Sequence, residues 1–137
     1  MKKINTILAS NSPRRRKILN QIGINFKIIS SEVNEHSNLN YSPKKFAEYW
    51  SIRKTKKISK MFQDHIIIGA DTIVSIDNEI LGKPINKKDS VKMLKQLSGN
   101  THKVLTGVSI AYYKENIFKT FSETTEVIVR NISNDQI

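Results

Sequence analysis

The chain has 137 residues, with 23 Lys and Arg against 12 Asp and Glu, a formal net charge of +11, and ordinary shares of apolar (38%) and charged (26%) residues. That length suits one domain, and the composition excludes collagen-like, mucin-like and wholly disordered chains. No cysteine is present, which excludes disulfide frameworks, thiolate metal sites and cysteine nucleophiles.

The first residues, MKKINTILAS, are basic and then apolar. The apolar part is too short for a signal peptide and Arg14-Arg15-Arg16-Lys17 follows at once, so a cytoplasmic protein is expected. Apolar runs such as Ile66-Ile67-Ile68 fall far short of the roughly 20 residues that span a bilayer. Residues 4–9, INTILA, read as a short buried strand. Ser12-Pro13 is a helix N-cap followed by proline at the first helical position. Ile18, Leu19 and Ile22 supply an apolar face, and Gly23 stops the helix. Residues 25–30, NFKIIS, form a second strand, giving the start of an α/β domain.

A polar loop, residues 31–41, comes next. Ser42-Pro43 repeats the cap signal and opens a helix reaching Met61, with Phe46, Ala47, Trp50, Ile58 and Met61 as its apolar stripe. The aromatic residues on it are read as core, not as a base-stacking platform. Residues 65–70, HIIIGA, suit a central strand buried on both faces. Residues 72–76 continue extended, Asp77-Asn78 makes a tight turn, and 79–81 returns. Residues 89–97 form an amphipathic helix stopped by Gly99, and 102–113 with 117–129 form a hairpin of two long strands turning near Glu115-Asn116. Ser133 reads as the cap of a further helix cut off at Ile137, so the single domain over 1–137 is expected to be truncated at its C-terminal end.

Charge is distributed unevenly. Residues 1–60 hold 14 basic and 3 acidic residues, whereas 61–137 hold 9 of each. A basic half invites a polyanionic partner: nucleic acid, a membrane surface or a phosphorylated small molecule. An AT-rich coding bias explains the scattered lysines equally well, since Ile, Lys and Asn supply 52 residues. It does not explain three consecutive arginines in a chain with only two others.

Those arginines stand in the first turn of a helix, where backbone N–H groups are unpaired and the dipole is positive. Cations there are unfavourable unless an anion joins them, when N–H groups, dipole and guanidinium forks all face it. Asp71 directly follows an apolar strand, where open α/β sheets place ligand sites. An Asp there holds a divalent metal, acts as a general base, or merely caps a turn. Gly82-Lys83-Pro84 presents one lysine on a stiff loop, and Glu32 and Glu35 lie in the polar loop. His36, His65 and His102 have no paired helical spacing, which argues against a histidine metal site. Neither GxxxxGK[ST] nor GxGxxG occurs.

Taken together, ILASNSPRR (7–15), SEVNE (31–35), GADTIV (69–74), ILGKP (80–84), MLKQLSGNTHKVLTGV (93–108) and TEV (125–127) resemble the Maf proteins in order and spacing. The resemblance spans essentially the whole chain. It implies an α/β fold of the Maf-like, anticodon/ITPase-like kind, a twisted mixed sheet flanked by helices with a cleft between two lobes. It implies hydrolysis of dTTP and UTP, and of modified nucleotides, to the monophosphate and pyrophosphate with Mg²⁺ or Mn²⁺, a homodimer, a cytoplasmic location, and a house-cleaning role with a link to cell-division arrest. Nucleic acid and membrane are not implied as partners. By the same resemblance Asp71 is the proton acceptor and a metal ligand with Glu35, while Ser10, Arg14, Arg15, Lys54, Thr72 and Lys83 bind substrate. Arg14 and Thr72 stand where the dTTP/UTP subclass has Arg and Thr and the 7-methyl-GTP subclass has Trp and Gln. The family's D-K-A-G-A-Y-x-I-Q-G segment does not follow Ile137. The competing readings are a 7-methyl-GTP pyrophosphatase, an inactive truncated form and a basic nucleic-acid-binding module.

Overall fold

The computed structural model describes residues 4–31, 33 and 40–137. Strand β1 (Asn5–Leu8) leads to helix α1 (Pro13–Gln21) and strand β2 (Phe26–Ile28). Helix α2 (Pro43–Met61) precedes the long strand β3 (His65–Ile76) and the short β4 (Glu79–Leu81). Helix α3 (Lys87–Leu97) then leads to the hairpin of β5 (Thr101–Tyr112) and β6 (Ile117–Ile128). The strands form one mixed sheet in the order β2-β1-β3-β5-β6, with β4 paired to β3. β1 runs parallel to both β2 and β3, and the pairs of β3 with β4 and β5, and of β5 with β6, are antiparallel.

Local chemistry accounts for most element ends. The Ser12 hydroxyl accepts from the Arg15 backbone N–H and the Ser42 hydroxyl from that of Lys45, each with proline next in the chain. Asp77 and Asn78 both take positive φ, 50° and 64°, as a two-residue hairpin turn of the type that matches strand twist requires. Gly23 and Gly99 end their helices in the left-handed region. α3 begins two residues earlier than the pattern suggests, because the Asn86 side chain, not a residue further on, accepts the Asp89 N–H. After Ser133 the chain makes one turn, in which the Ile137 N–H reaches the Ser133 carbonyl.

α2 lies across one face of β3 and β5. Its Phe46, Ala47 and Trp50 pack with Ile73 and Leu105, and its Ile58 packs with Ile7, Ala9, Ile67 and Ala111. The aromatic residues Phe46 and Trp50 are thus core, as expected. Between these two apolar clusters runs a band of hydroxyls. Ser51 bonds Ser109 at 2.8 Å, and Ser109 bonds Thr120 at 2.9 Å. Two expected contacts are not made. Met61 is 64% exposed, and α1 buries none of its residues, with Ile18 in it and Ile22 just after it half or more exposed.

Candidate functional site

β1 and β4 use the same edge of β3 but do not meet. β1 pairs with His65–Ile68, and β4 with Val74–Ile76. The stretch 69–73 therefore has a strand neighbour on one side only, β5. The loop after β1 and the first turn of α1 stand at this uncovered edge, held by Ala9 N–H to the Ile68 carbonyl at 2.8 Å. An interrupted sheet edge beside a parallel strand's carboxyl end is where open α/β sheets bind ligands.

Side chains alternate across a strand, so consecutive residues Asp71 and Thr72 point to opposite faces. Asp71 faces α2. It is 6% exposed, and its Oδ1 accepts from Lys54 Nζ at 2.9 Å. A buried carboxylate needs such a partner, and Lys54 can supply it because it follows Trp50 by one turn on the face of α2 that meets the sheet.

On the other face, Arg15 reaches in from α1. Its Nη1 donates to Ser10 Oγ at 3.0 Å and to the Ala70 carbonyl at 3.1 Å, and its Nη2 donates to Thr72 Oγ1 at 3.0 Å. The guanidinium fork thereby ties the β1 loop to β3 across the uncovered edge. Ser10 Oγ also accepts from the Ser12 N–H at 3.1 Å, which fixes the loop's bend into α1.

Of the residues singled out from sequence, the structure thus joins Ser10, Arg15 and Thr72 on one face of the edge and Lys54 with Asp71 on the other. Arg14 is exposed on α1 and Lys83 is exposed just past β4. Neither makes a hydrogen bond or ion pair among the described residues. Glu32 and Glu35 lie outside the described residues. One member of the site was missed. Thr106 of β5 stands opposite Thr72 in register, and the two hydroxyls are 3.1 Å apart. Its sequence signal is only a threonine in an alternating strand, and the register that selects it is not written locally.

Fold and site together define a mixed α/β protein with Arg15, Lys54 and several hydroxyls gathered at an interrupted sheet edge. The chain belongs to the Maf-like protein family, whose pattern it matches over residues 5–137. It is 42% identical over 131 residues to a dTTP/UTP pyrophosphatase of Bacillus pumilus (strain SAFR-032), covering 96% of this chain and 68% of that protein. A dTTP/UTP pyrophosphatase of Ruminiclostridium cellulolyticum is 42% identical over 134 residues, covering 97% and 69%. Among solved structures, a Ham1 protein of Staphylococcus aureus superposes with a TM-score of 0.64 at 14% identity, over 90% of this chain and 71% of that one. A HAM1 protein of Coxiella burnetii gives 0.58 at 10% identity, over 92% and 73%. These two likenesses establish the shared fold and nothing finer.

Proposed function

We propose that this protein hydrolyses dTTP and UTP to the nucleoside monophosphate and pyrophosphate. The observation that carries the reading is the uncovered edge of β3, flanked by the Lys54–Asp71 pair on one face and by Ser10, Arg15 and Thr72 on the other. The 42% identity to proteins named for that activity supports it. A triphosphate brings three to four negative charges. Arg15, with Arg14, Lys54 and Lys83 nearby in the chain's site motifs, offsets them, and cations placed where charge develops stabilise the transition state. The free N–H groups at the start of α1 add to this field.

Asp71 orients the attacking water and accepts its proton. The water oxygen forms the new P–O bond at the α–β anhydride, the anhydride P–O bond breaks, and pyrophosphate leaves with the electron pair. Lys54 holds the Asp71 carboxylate in place through its 2.9 Å hydrogen bond. Once phosphate oxygens arrive, the same ammonium is shared with them.

No three metal-ligating side chains cluster among the described residues. The donors are hard oxygens, however, and Mg²⁺ is commonly held by one or two carboxylates together with substrate phosphates. Asp71 supplies one such carboxylate, and the family resemblance assigns Glu35 as the second. A bound Mg²⁺ or Mn²⁺ supplies charge neutralisation and Lewis acidity to the phosphates. Excess EDTA is expected to abolish pyrophosphate release and added Mg²⁺ or Mn²⁺ to restore it. Full turnover in EDTA would remove the metal from the reading.

Subclass is the finer part of the proposal, and it rests on Arg14 and Thr72. A forked cation and a short hydroxyl suit a pyrimidine nucleotide, whereas Trp and Gln offer a stacking surface and an amide for a methylated purine. The expected kcat/KM order is UTP and dTTP above 7-methyl-GTP, with pyrophosphate as the first product. Arg14→Trp combined with Thr72→Gln is expected to move the preference towards 7-methyl-GTP. A wild-type preference for 7-methyl-GTP, or orthophosphate as first product, would show the assignment to be wrong. The same reading includes a cytoplasmic homodimer that clears nucleotides and bears on cell-division arrest. No described helix is long and apolar enough to cross a membrane.

A further inference from the structure

We infer that the outer edge of β6 is a self-pairing surface: two copies of the chain join antiparallel along β6, with Phe121 against Phe121 at the two-fold axis and Lys119 against Glu123 on either side of it. This rests on the homodimer included in the reading above and gives it an interface. β6 ends the sheet, and among the described residues its strand neighbour is β5. Its 12 residues pair with β5 in unbroken register, from Ile117 with Tyr112 to Ile128 with Thr101. The other edge therefore offers a continuous row of backbone N–H and C=O groups. Edge strands that avoid further pairing are short, bulged or broken by proline. β6 is long, in register throughout and without proline. It also exposes large apolar side chains, Ile117, Phe118 and Phe121 being 46%, 39% and 48% exposed.

What fits this edge follows from its charges. Side chains alternate across a strand. Thr120 and Ser122 bond Ser109 and Glu48 on the side of α2, so Lys119, Phe121 and Glu123 share the opposite face. Their partners on β5 are Ile110, Val108 and Thr106, none of them charged. Neither Lys119 nor Glu123 forms an ion pair among the described residues. They cannot pair with each other, being about 13 Å apart along the strand.

A two-fold axis perpendicular to the sheet pairs two β6 strands antiparallel and keeps each face on its own side. With the axis at Phe121, Lys119 meets Glu123 of the other copy twice, Phe121 meets itself and Ile117 meets Thr125. With the axis at Thr120 or Ser122, Lys119 meets Phe121 or Thr125 instead, and at Glu123 two carboxylates meet. Opposite charges and aromatic pairs directly across a strand pair are stabilising, and like charges are not. One register thus satisfies both charges and the aromatic ring, and such an isologous contact closes on itself. α2 packs over β3 and β5, and three strand spacings, about 14 Å, separate β5 from its copy. The two helices therefore do not collide.

The chain has no cysteine, so Phe121→Cys places a single thiol at the axis. Directly opposed residues of antiparallel strands have Cα atoms about 4.5–5.5 Å apart, within reach of a disulfide. After oxidation Phe121→Cys is expected to run as a covalent dimer on a non-reducing gel. Thr125→Cys, about 27 Å from its copy in this register, is expected to run as a monomer. Sedimentation equilibrium reads the charge variants, with a thermal melt to verify their fold. Lys119→Glu and Glu123→Lys are each expected to raise the dimer Kd by about tenfold, since each turns two attractive cross-strand pairs into repulsive ones. Lys119→Glu combined with Glu123→Lys is expected to restore it. Equal cross-linking of both cysteine variants, no cross-linking of Phe121→Cys, a wild type that sediments as a monomer, or a double variant that stays weakened overturns the interface. All of these readouts report association alone, so each leaves the pyrophosphatase reading in place. A dimer that hydrolyses no nucleoside triphosphate overturns that reading and leaves this interface in place.

Discussion

Asp71→Asn is expected to lower kcat for pyrophosphate release from UTP by about 10²–10⁴-fold, the usual range for losing a general base. Asparagine preserves the volume and one acceptor oxygen, so Lys54 keeps a hydrogen bond and the interface between α2 and β3 stays packed. What is lost is the negative charge and the basicity. The amide cannot take the proton of the attacking water, and it is a poor ligand for a hard cation beside phosphates. The measurement is single-turnover pyrophosphate release, with a thermal melt to verify that the variant folds. KM is expected to change less than kcat, because Arg14, Arg15, Lys54 and Lys83 are all retained. A variant that melts like wild type and retains half its rate would remove Asp71 from the proton-accepting role.

Gly107→Ala is expected to destabilise the fold by about 3 kcal/mol, at the upper end of the range for overpacking a tight interface. For a chain of this size that corresponds to a fall in Tm of roughly 10 °C. α2 crosses β5 so closely that a Cβ at position 107 would overlap the backbone of Ala47 and Glu48. Backbone cannot rotate aside as a side-chain tip does, so the helix must lift from the sheet. Lifting it breaks the apolar cluster of Phe46, Ala47 and Trp50 with Ile73 and Leu105, and shifts Lys54 relative to Asp71. Activity is expected to fall with stability. Gly82→Ala is the control: nothing lies within 4 Å of its added Cβ, and its φ is ordinary. Its effect is expected to stay within about 0.5 kcal/mol. A Gly107→Ala protein that melts with the wild type would contradict the close crossing of α2 over β5.

Both predictions concern the same feature, the approach of α2 to the sheet. The hydroxyl band of Ser51, Thr55 and Ser109 and the two glycines at 69 and 107 permit that approach. The approach in turn carries Lys54 to the Asp71 carboxylate. Small side chains in this interface thus serve the site as well as the packing.

The amino-acid sequence by itself determined where the elements begin and turn. Ser12-Pro13, Ser42-Pro43, Asp77-Asn78, Gly23 and Gly99 act through the backbone of their immediate neighbours, so their effects are legible in a few residues. It also marked the arginine cluster by its place at a helix start, a local property; Ser10 came only through the family resemblance, and Asp71, expected just after a strand, lies inside the longer β3 (His65–Ile76) because the strand continues through it to pair with β5. Tertiary structure decided which arginine turns inward. Arg15 is half-buried against Ser10, Ala70 and Thr72 while Arg14 stays exposed, a choice made by how α1 sits on the sheet edge. It decided that Lys54 meets Asp71 on one face and Thr106 meets Thr72 on the other, through contacts 17 and 34 residues apart in the chain. It left Met61, Ile18 and Ile22 largely in solvent although their spacing promised a buried face. The physical reason is common to all three. Periodicity says which side chains share a face, but only strand register and helix placement say what that face meets, and both are set by packing across the whole sheet.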